Sequence, residues 1–477
     1  MKLIKRLLLV LISLFIGLLI FLLAVILIDA NKTNYLHLDE HSELQKDSYL
    51  ITNVNIVPMT SDTVLTNKMI LIEEGRISAI QDNIDNQNYD LIDAEGKYLL
   101  PGLSDMHVHV WDNFELGLYL SYGVTNIRNL WGMPMHLRMK KAIEEDQLIG
   151  PTFFTAGPKL TGPEFMGDDN LQLFSEEEAK QKVRSYHERG YDFIKTYYGL
   201  TPDLFDAIIE QSAELNMDIV SHPSPKVPYD YHLNRQIKSI EHTEDIIQQP
   251  LNYQLDSTKL LEVIDQLSKV DHNSFSPTLM SYYNIYRFLT EDNILASEQV
   301  NYMNSLIKKT DSKGQFDRWQ GTKSEDPAIV GRIKDQHDFH LLIIHKLHKA
   351  GVRIISSTDA GIGITVPGYS LHEEFALYQQ AGLSNFEILQ TSTIHAAQTH
   401  EKMRDLGSIE KGKLANMILV ESNPLQDLTT LKRPTKVFVK GRMLDRKKLD
   451  SFESNAKDRS NLIASGLRYL EFLWIEK

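Results

Sequence analysis

Leu99-Leu100-Pro101-Gly102-Leu103-Ser104-Asp105-Met106-His107-Val108-His109-Val110 is the stretch that decides the fold. Pro101-Gly102 is turn punctuation, and the mostly apolar run behind it reads as a buried strand from Leu103 to Val110. Alternate side chains of a strand share a face, so His107 and His109 point one way while Val108 points the other. Two imidazoles side by side at a strand end make a pair of metal-competent donors. On its own, a His-x-His pair is more often incidental, so the rest of the chain must supply the other ligands.

Working outward, short β-branched runs precede this strand: Tyr49 to Val57, Met69 to Ile72, Ile77 to Ile80 and Tyr89 to Asp93. A second such set, Met417 to Val420 and Thr435 to Arg442, lies near the far end. Two strand-rich segments bracketing the middle predict one small β-sandwich built from residues 48–100 and 405–445. Between them strand-like and helix-like stretches alternate, the pattern of βα units around a parallel sheet. The strand candidates are Leu103 to Val110, Val124 to Asn129, Thr152 to Ala156, Tyr191 to Tyr197, Asp218 to His222, Ser239 to His242, Ser274 to Thr278 and Arg353 to Asp359. Eight such units predict a (β/α)8 TIM barrel over residues 101–404, with catalytic side chains at the C-terminal strand ends. Thr201-Pro202-Asp203 reads as a helix cap with proline at the first position. The connection from Leu279 to Gly351 exceeds one helix and predicts extra helices over the barrel mouth. Residues 446–477 form a helical tail whose amphipathic end, Leu462 to Trp474, is expected to dock on the body.

The formal net charge is −14, which disfavours nucleic acid, since binding phosphates requires a basic face. Cysteine is absent, so disulfides, thiolate nucleophiles and Cys-ligated metals are excluded, and any metal must sit on His, carboxylate or modified Lys. After Lys2, Lys5 and Arg6, the run Leu7 to Ile28 carries no charge. As a helix it spans roughly 33 Å, enough to cross a bilayer. Its basic flank places the N-terminus in the cytoplasm and the body outside, as a single-pass protein of the cytoplasmic membrane with a periplasmic or extracellular catalytic domain. A cleaved signal peptide is the alternative, disfavoured by the length of the run and by the poor cleavage site at Ile28-Asp29-Ala30. Residues 1–30 are thus read as the anchor and residues 31–47 as a polar tether.

Further strands end in candidate ligands. Asp218-Ile219-Val220-Ser221-His222 and Lys238-Ser239-Ile240-Glu241-His242 each close an apolar strand with a histidine, and a buried imidazole needs a partner. A metal site shared with His107 and His109 explains all four better than four separate backbone hydrogen bonds. Gly190-Tyr191-Asp192-Phe193-Ile194-Lys195 and Val352-Arg353-Ile354-Ile355-Ser356-Ser357-Thr358-Asp359-Ala360-Gly361 complete the set. Alone, Lys195 would read as a strand lysine reaching the surface and Asp359 as a helix cap.

From about Ser48 to Asp445 the chain, and PGLSDMHVHV above all, resembles the amidohydrolase superfamily, most closely its imidazolonepropionase-related and prolidase-like binuclear members. The resemblance implies two divalent cations, zinc being the expected metal although ligand type also admits manganese, iron or cobalt. It implies that His107, His109 and Asp359 hold one ion and His222 and His242 the other. Lys195, having taken up carbon dioxide as a carbamate, would bridge them. Asp359 would then take a proton from the attacking water and return it to the leaving nitrogen. The implied substrate is a small amide, a dipeptide or an N-acyl amino acid. One departure is that Pro223 and Ser224 follow His222 where dipeptide-cleaving relatives often place a tyrosine two residues on, which leaves Tyr229 and Tyr231 as stand-ins. Trp111 and Trp131, at the ends of the first two strands, are the other substrate-contact candidates. Tyr282, Tyr283, Tyr286, Phe316 and Trp319 read either as pocket lining or as the core of an inserted helical subdomain. His395 is read as structural. Two further functional classes stay open: a mononuclear deaminase of a cyclic amidine, which Lys195 disfavours, and an inactive membrane-tethered binding protein, which the intact ligand set disfavours. The pattern also leaves room for a homo-oligomer.

Overall fold

The computed structural model describes residues 2–38, 48–85, 88–165, 167 and 169–477. Both ends of the body meet in one eight-stranded sheet. Its centre is Tyr49–Ile56, which pairs antiparallel with Leu65–Glu73 and parallel with Asp90–Asp93 and Tyr98–Pro101. Met417–Val420 joins from the far end, running antiparallel to Tyr98–Pro101 with Met417 opposite Pro101 and Val420 opposite Tyr98. The period of two explains why this strand is apolar throughout. Met417 and Leu419 enter a core with Ile51, Ile70 and Phe438, whereas Ile418 and Val420 enter the main core of the body. The strand stitches the two units together.

The body alternates helices with the parallel strands Leu103–Val108, Val124–Asn129, Thr152–Thr155, Phe193–Thr196, Asp218–Ser221, Ile237–Glu241 and Ser274–Ser276. Single parallel bridges, Ala156 to Phe193, Phe275 to Ile354 and Val108 to Ala360, link the sheets to one another and to the stretch Arg353 to Asp359. That stretch differs from expectation: it makes isolated bridges and no continuous strand, because the Thr358 and Ala360 amides bond to the Asp105 carboxylate and the Thr358 hydroxyl, and Asp359 between them turns through a positive φ of 63°. Two further strands, Lys159–Thr161 and Asn170–Gln172, had no clear signature in the sequence. Helix Glu176–Arg189 shows how local signals set boundaries. The Ser175 hydroxyl accepts from the Glu178 amide, three glutamates fill the first turn, and Gly190 ends the helix at φ 89°. Helix Pro202–Glu214 does begin with its proline, but Thr201 makes no side-chain capping bond.

Between Leu279 and Gly351 the structure places helices Leu279–Thr290, Lys313–Glu325 and Ile329–Lys349 with shorter turns between them. The tail forms helices Arg446–Ala456 and Leu462–Glu476, both docked. Phe452 and Phe472 are fully buried, and truncating either to alanine would cost about 3–5 kcal/mol. The N-terminal helix, Lys2–Lys32, is the one described helix long and apolar enough to cross a membrane. The tether reading fails at residues 34–38. Leu36 is buried, Tyr35 packs on Phe452 at 5.7 Å, and His37 bridges to Leu148. Residues 39–47 of the expected tether lie outside the described residues.

Candidate metal centre

The parallel strands deliver their ligands because each ends at the same rim. His107, His109, Lys195, His222, His242 and Asp359, all buried, line a single cavity of about 530 Å³. One donor atom each from His107, His109 and Asp359 lie within 4.8 Å of one another. His109 Nε2 is 2.7 Å and His107 Nε2 3.3 Å from Asp359 Oδ1. On the other side the His222 and His242 rings are 4.5 Å apart, and His242 is 4.9 Å from His107. His242 and Asp359 reach these positions at φ 71° and 63°, left-handed conformations costing about 1–3 kcal/mol each that concentrate at functional sites.

The electrostatics fit a cation centre. Burial pushes His107 down to about 4 and holds His222 and His242 well below the ordinary imidazole value, so all three offer neutral lone pairs. Burial opposes ionisation of Asp359, yet His107 and His109 hold its carboxyl well below the usual range. Lys195 is 1% exposed and its Nζ has no hydrogen-bond partner. Burial brings its amine down to about 8. A buried amine left unpaired is costly, and so are the unpartnered Nδ1 atoms of His109 and His222. These unpartnered atoms fit a site completed by divalent cations.

A supporting layer went unnoticed in the sequence. Glu241, fully buried, accepts from His107 Nδ1 at 2.7 Å and from Arg128 at 3.0 Å. Arg128 also donates through Nε to the Met106 carbonyl at 2.6 Å, so one guanidinium ties the strands of His107 and His242 together. Thr278, at φ 49°, lies 2.8 Å from His242 Nδ1 through its hydroxyl. Asp105 accepts from the Thr358 hydroxyl at 2.6 Å and fixes the Asp359 turn. The legible signal was charge: Arg128 interrupts an otherwise uncharged strand, and Glu241 immediately precedes a ligand candidate.

Trp111 and Trp131 line the cavity, their rings 4.9 Å apart, and Tyr469 of the tail joins them. Lys159, paired with Asp169, supplies charge to the walls, and Glu244, whose carboxyl burial pushes up to about 8, lines them as well. Tyr229 and Tyr231 do not line it: Tyr229 is buried beside His232, and the Tyr231 hydroxyl donates outward to Asp206. Of Tyr282, Tyr283, Tyr286, Phe316 and Trp319, none lines the cavity; Tyr283, Phe316 and Trp319 pack against the core. Leu306, Ile307 and Thr310 come to the cavity from that region instead. His395 Nδ1 lies 3.1 Å from the Ile354 carbonyl, outside the cavity.

Residues 98–444 match the amidohydrolase family, and the chain belongs to that family, a class of hydrolases acting on carbon–nitrogen bonds. Among solved structures it is similar to a bottromycin amidohydrolase, with a TM-score of 0.70 and 22% identity over 92% of this chain and 96% of that one. It is also similar to a Xaa-Pro dipeptidase solved with methionine in its active site, with a TM-score of 0.63 and 21% identity over 83% of this chain and 100% of that one. At such identities the likeness is one of fold. Among curated proteins, the dihydroorotase of Carboxydothermus hydrogenoformans is 44% identical over 63 residues, 13% of this chain and 14% of that protein. The chain therefore matches only a small part of the length of these curated relatives.

Proposed function

We propose that the chain hydrolyses the carbon–nitrogen bond of a small amide, with a dipeptide or an N-acyl amino acid as the leading substrate class, on a centre of two divalent cations. The observation that carries this reading is the unpartnered Lys195 amine, buried among four imidazoles and the Asp359 carboxylate. His107, His109 and Asp359 would hold one cation, His222 and His242 the other, and Lys195 as its carbamate would serve both. Zinc suits this nitrogen and oxygen donor set. When bound, the cations would supply Lewis acidity and a water of lowered pKa. The chain's own residues do the rest. Asp359, held ionised by His107 and His109, accepts the proton of the attacking water and delivers it to the leaving nitrogen. Glu241 orients His107, and the wall of Trp111, Trp131 and Tyr469 seats the apolar part of the substrate.

Two architectural readings accompany this. The single bridges between the sheets and at Ala360 support closure of the parallel strands into a (β/α)8 barrel. The apolar N-terminal helix supports a single-pass anchor with the body outside the cytoplasm.

The test has two parts. Metal analysis of the purified full chain is expected to give two cations per chain; one would favour a mononuclear centre. The metal-loaded chain, screened against dipeptides, N-acyl amino acids, cyclic imides and lactones, is expected to turn over an amide. Asp359→Asn is expected to abolish that turnover while retaining much of the metal, and full activity in the variant would remove Asp359 from its role. Silence across the whole panel would defeat the substrate reading.

A further inference from the structure

The tail helix Leu462–Glu476 has two faces. Its inner face is spent on the body: Ala464, Ser465 and Phe472 are buried, and Tyr469 lines the cavity. Its outer face is apolar and uncovered, with Ile463, Leu470 and Trp474 on one stripe and Ile475 beside it. Trp474 is 89% exposed, an uncommon state for the largest apolar side chain. The charged side chains of this helix are engaged elsewhere: Arg468 with Asp29, Glu471 with Arg138, and Glu476 with Arg189. Such a stripe needs an occupant.

The anchor identifies it. The apolar run ends at Ile28, and the next residue, Asp29, is buried and ion-paired to Arg468 in the middle of the tail helix. Lys32 Nζ lies 3.3 Å from Ser460 Oγ just before that helix, and the two helices pack against each other. A helix rises about 1.5 Å per residue, so no spacer separates the last lipid-crossing residues from Leu462–Glu476. If the anchor crosses a bilayer, the tail helix lies at headgroup depth.

We infer that the outer face of Leu462–Glu476 rests in the lipid surface beside the anchor, with Trp474 as its interfacial residue. The inference rests on the anchor reading given above. An indole prefers the interface, where its apolar ring and polar edge are both satisfied, and an amphipathic helix buries its apolar face at the boundary of headgroups and acyl chains. The lipid contact and the cavity then share one helix as their wall, since Tyr469 faces inward from it.

The chain has four tryptophans and no cysteine, which permits a direct test. The full chain is reconstituted in phosphatidylcholine vesicles, plain or brominated near the headgroup end of the acyl chain, beside Trp474→Phe. The difference between the two proteins isolates the emission of Trp474, expected to fall about twofold or more on bromination, as for an indole seated in the interface. Ile463→Cys carrying a nitroxide reports the same face independently and is expected to lose accessibility to a water-soluble relaxation agent once in vesicles. A chain that floats with the vesicles while Trp474 and position 463 ignore the lipid overturns this inference alone. A Trp474 signal that follows the protein-to-lipid ratio instead of bromine overturns it in favour of a second copy of the chain. A chain that does not float overturns the anchor reading, and this inference with it.

Discussion

Glu241 illustrates how one side chain governs a centre that it does not join. Its carboxylate takes hydrogen bonds from His107, Arg128 and Ser239 while fully buried. Burial opposes its ionisation, but Arg128, His107 and Lys195 outweigh that cost and hold it well below the usual carboxylate range. A bond from Nδ1 to an ionised carboxylate leaves Nε2 of His107 as the free lone pair, facing Asp359 and the cavity. Glu241→Gln keeps the volume but removes the charge, and its amide hydrogens must face another donor. Cation affinity is expected to weaken about 10–100-fold, the range for partners that orient metal-binding imidazoles. A competition titration of the purified variant against a zinc chelator measures it, with a melting curve to confirm the fold. Unchanged affinity would show that His107 is oriented without Glu241. The five inward residues at strand ends were legible because a motif and a strand period place them, and Asp359 because of its motif alone; Arg128 and Glu241 showed in the sequence only as charges in or beside strands, because their importance lies in pairing across strands far apart in sequence.

At the scale of elements, the tail is held by a buried charge cluster as well as by its apolar face. Arg459, in the turn between the two tail helices, donates to Asp112 and Glu115 at 2.7 Å each, and all three are essentially solvent-free. Burial opposes the charge on Asp112, yet Arg459 keeps its carboxyl low; Glu115, pressed by burial and by Asp112, rises to about 8. Removing the cation strands both acids. Arg459→Ala is therefore expected to cost about 3–5 kcal/mol, the usual penalty for breaking a buried pair from one side. Thermal unfolding should show the melting temperature falling by several degrees, while Arg459→Lys, which keeps the charge but loses the forked geometry, should fall between the two. A variant as stable as the parent would mean that water reaches the cluster. Docking of the tail could be anticipated from the apolar period of Leu462 to Trp474, but this cluster could not. Nor could the burial of Leu36, which takes its place in the main core beside Gly117, next to Phe452 of the tail.

For the whole molecule, several imidazoles outside the cavity are buried neutral, and together they make the fold sensitive to acid. His136 donates from Nε2 to the Val110 carbonyl at 2.7 Å and accepts at Nδ1 from the Met133 amide at 3.0 Å. His232 lies 2.9 Å from the Ser221 hydroxyl at Nδ1 and accepts from the Ser224 amide at 3.2 Å. Each ring has one nitrogen committed as an acceptor, so protonation must break a bond. Burial accordingly lowers His136, His232 and His372 to about 4. In the unfolded chain the same groups titrate near 6.5. Because the folded value is the lower one, the unfolded chain binds the extra proton between these two values. Their contribution is intact above about pH 6.5, declines as the pH falls towards 4, and changes no further below that. From pH 7 to pH 5 each such histidine removes about 2 kcal/mol by this linkage. Melting curves taken in chelator at both pH values, so that cation loss cannot contribute, should show a large drop at pH 5. His136→Gln should be less stable than the parent at pH 7 but lose less between pH 7 and pH 5. Equal melting temperatures at both pH values would mean that these imidazoles already carry protons in the fold, which would require the acceptor nitrogens of His136 and His232 to have become donors facing backbone amides.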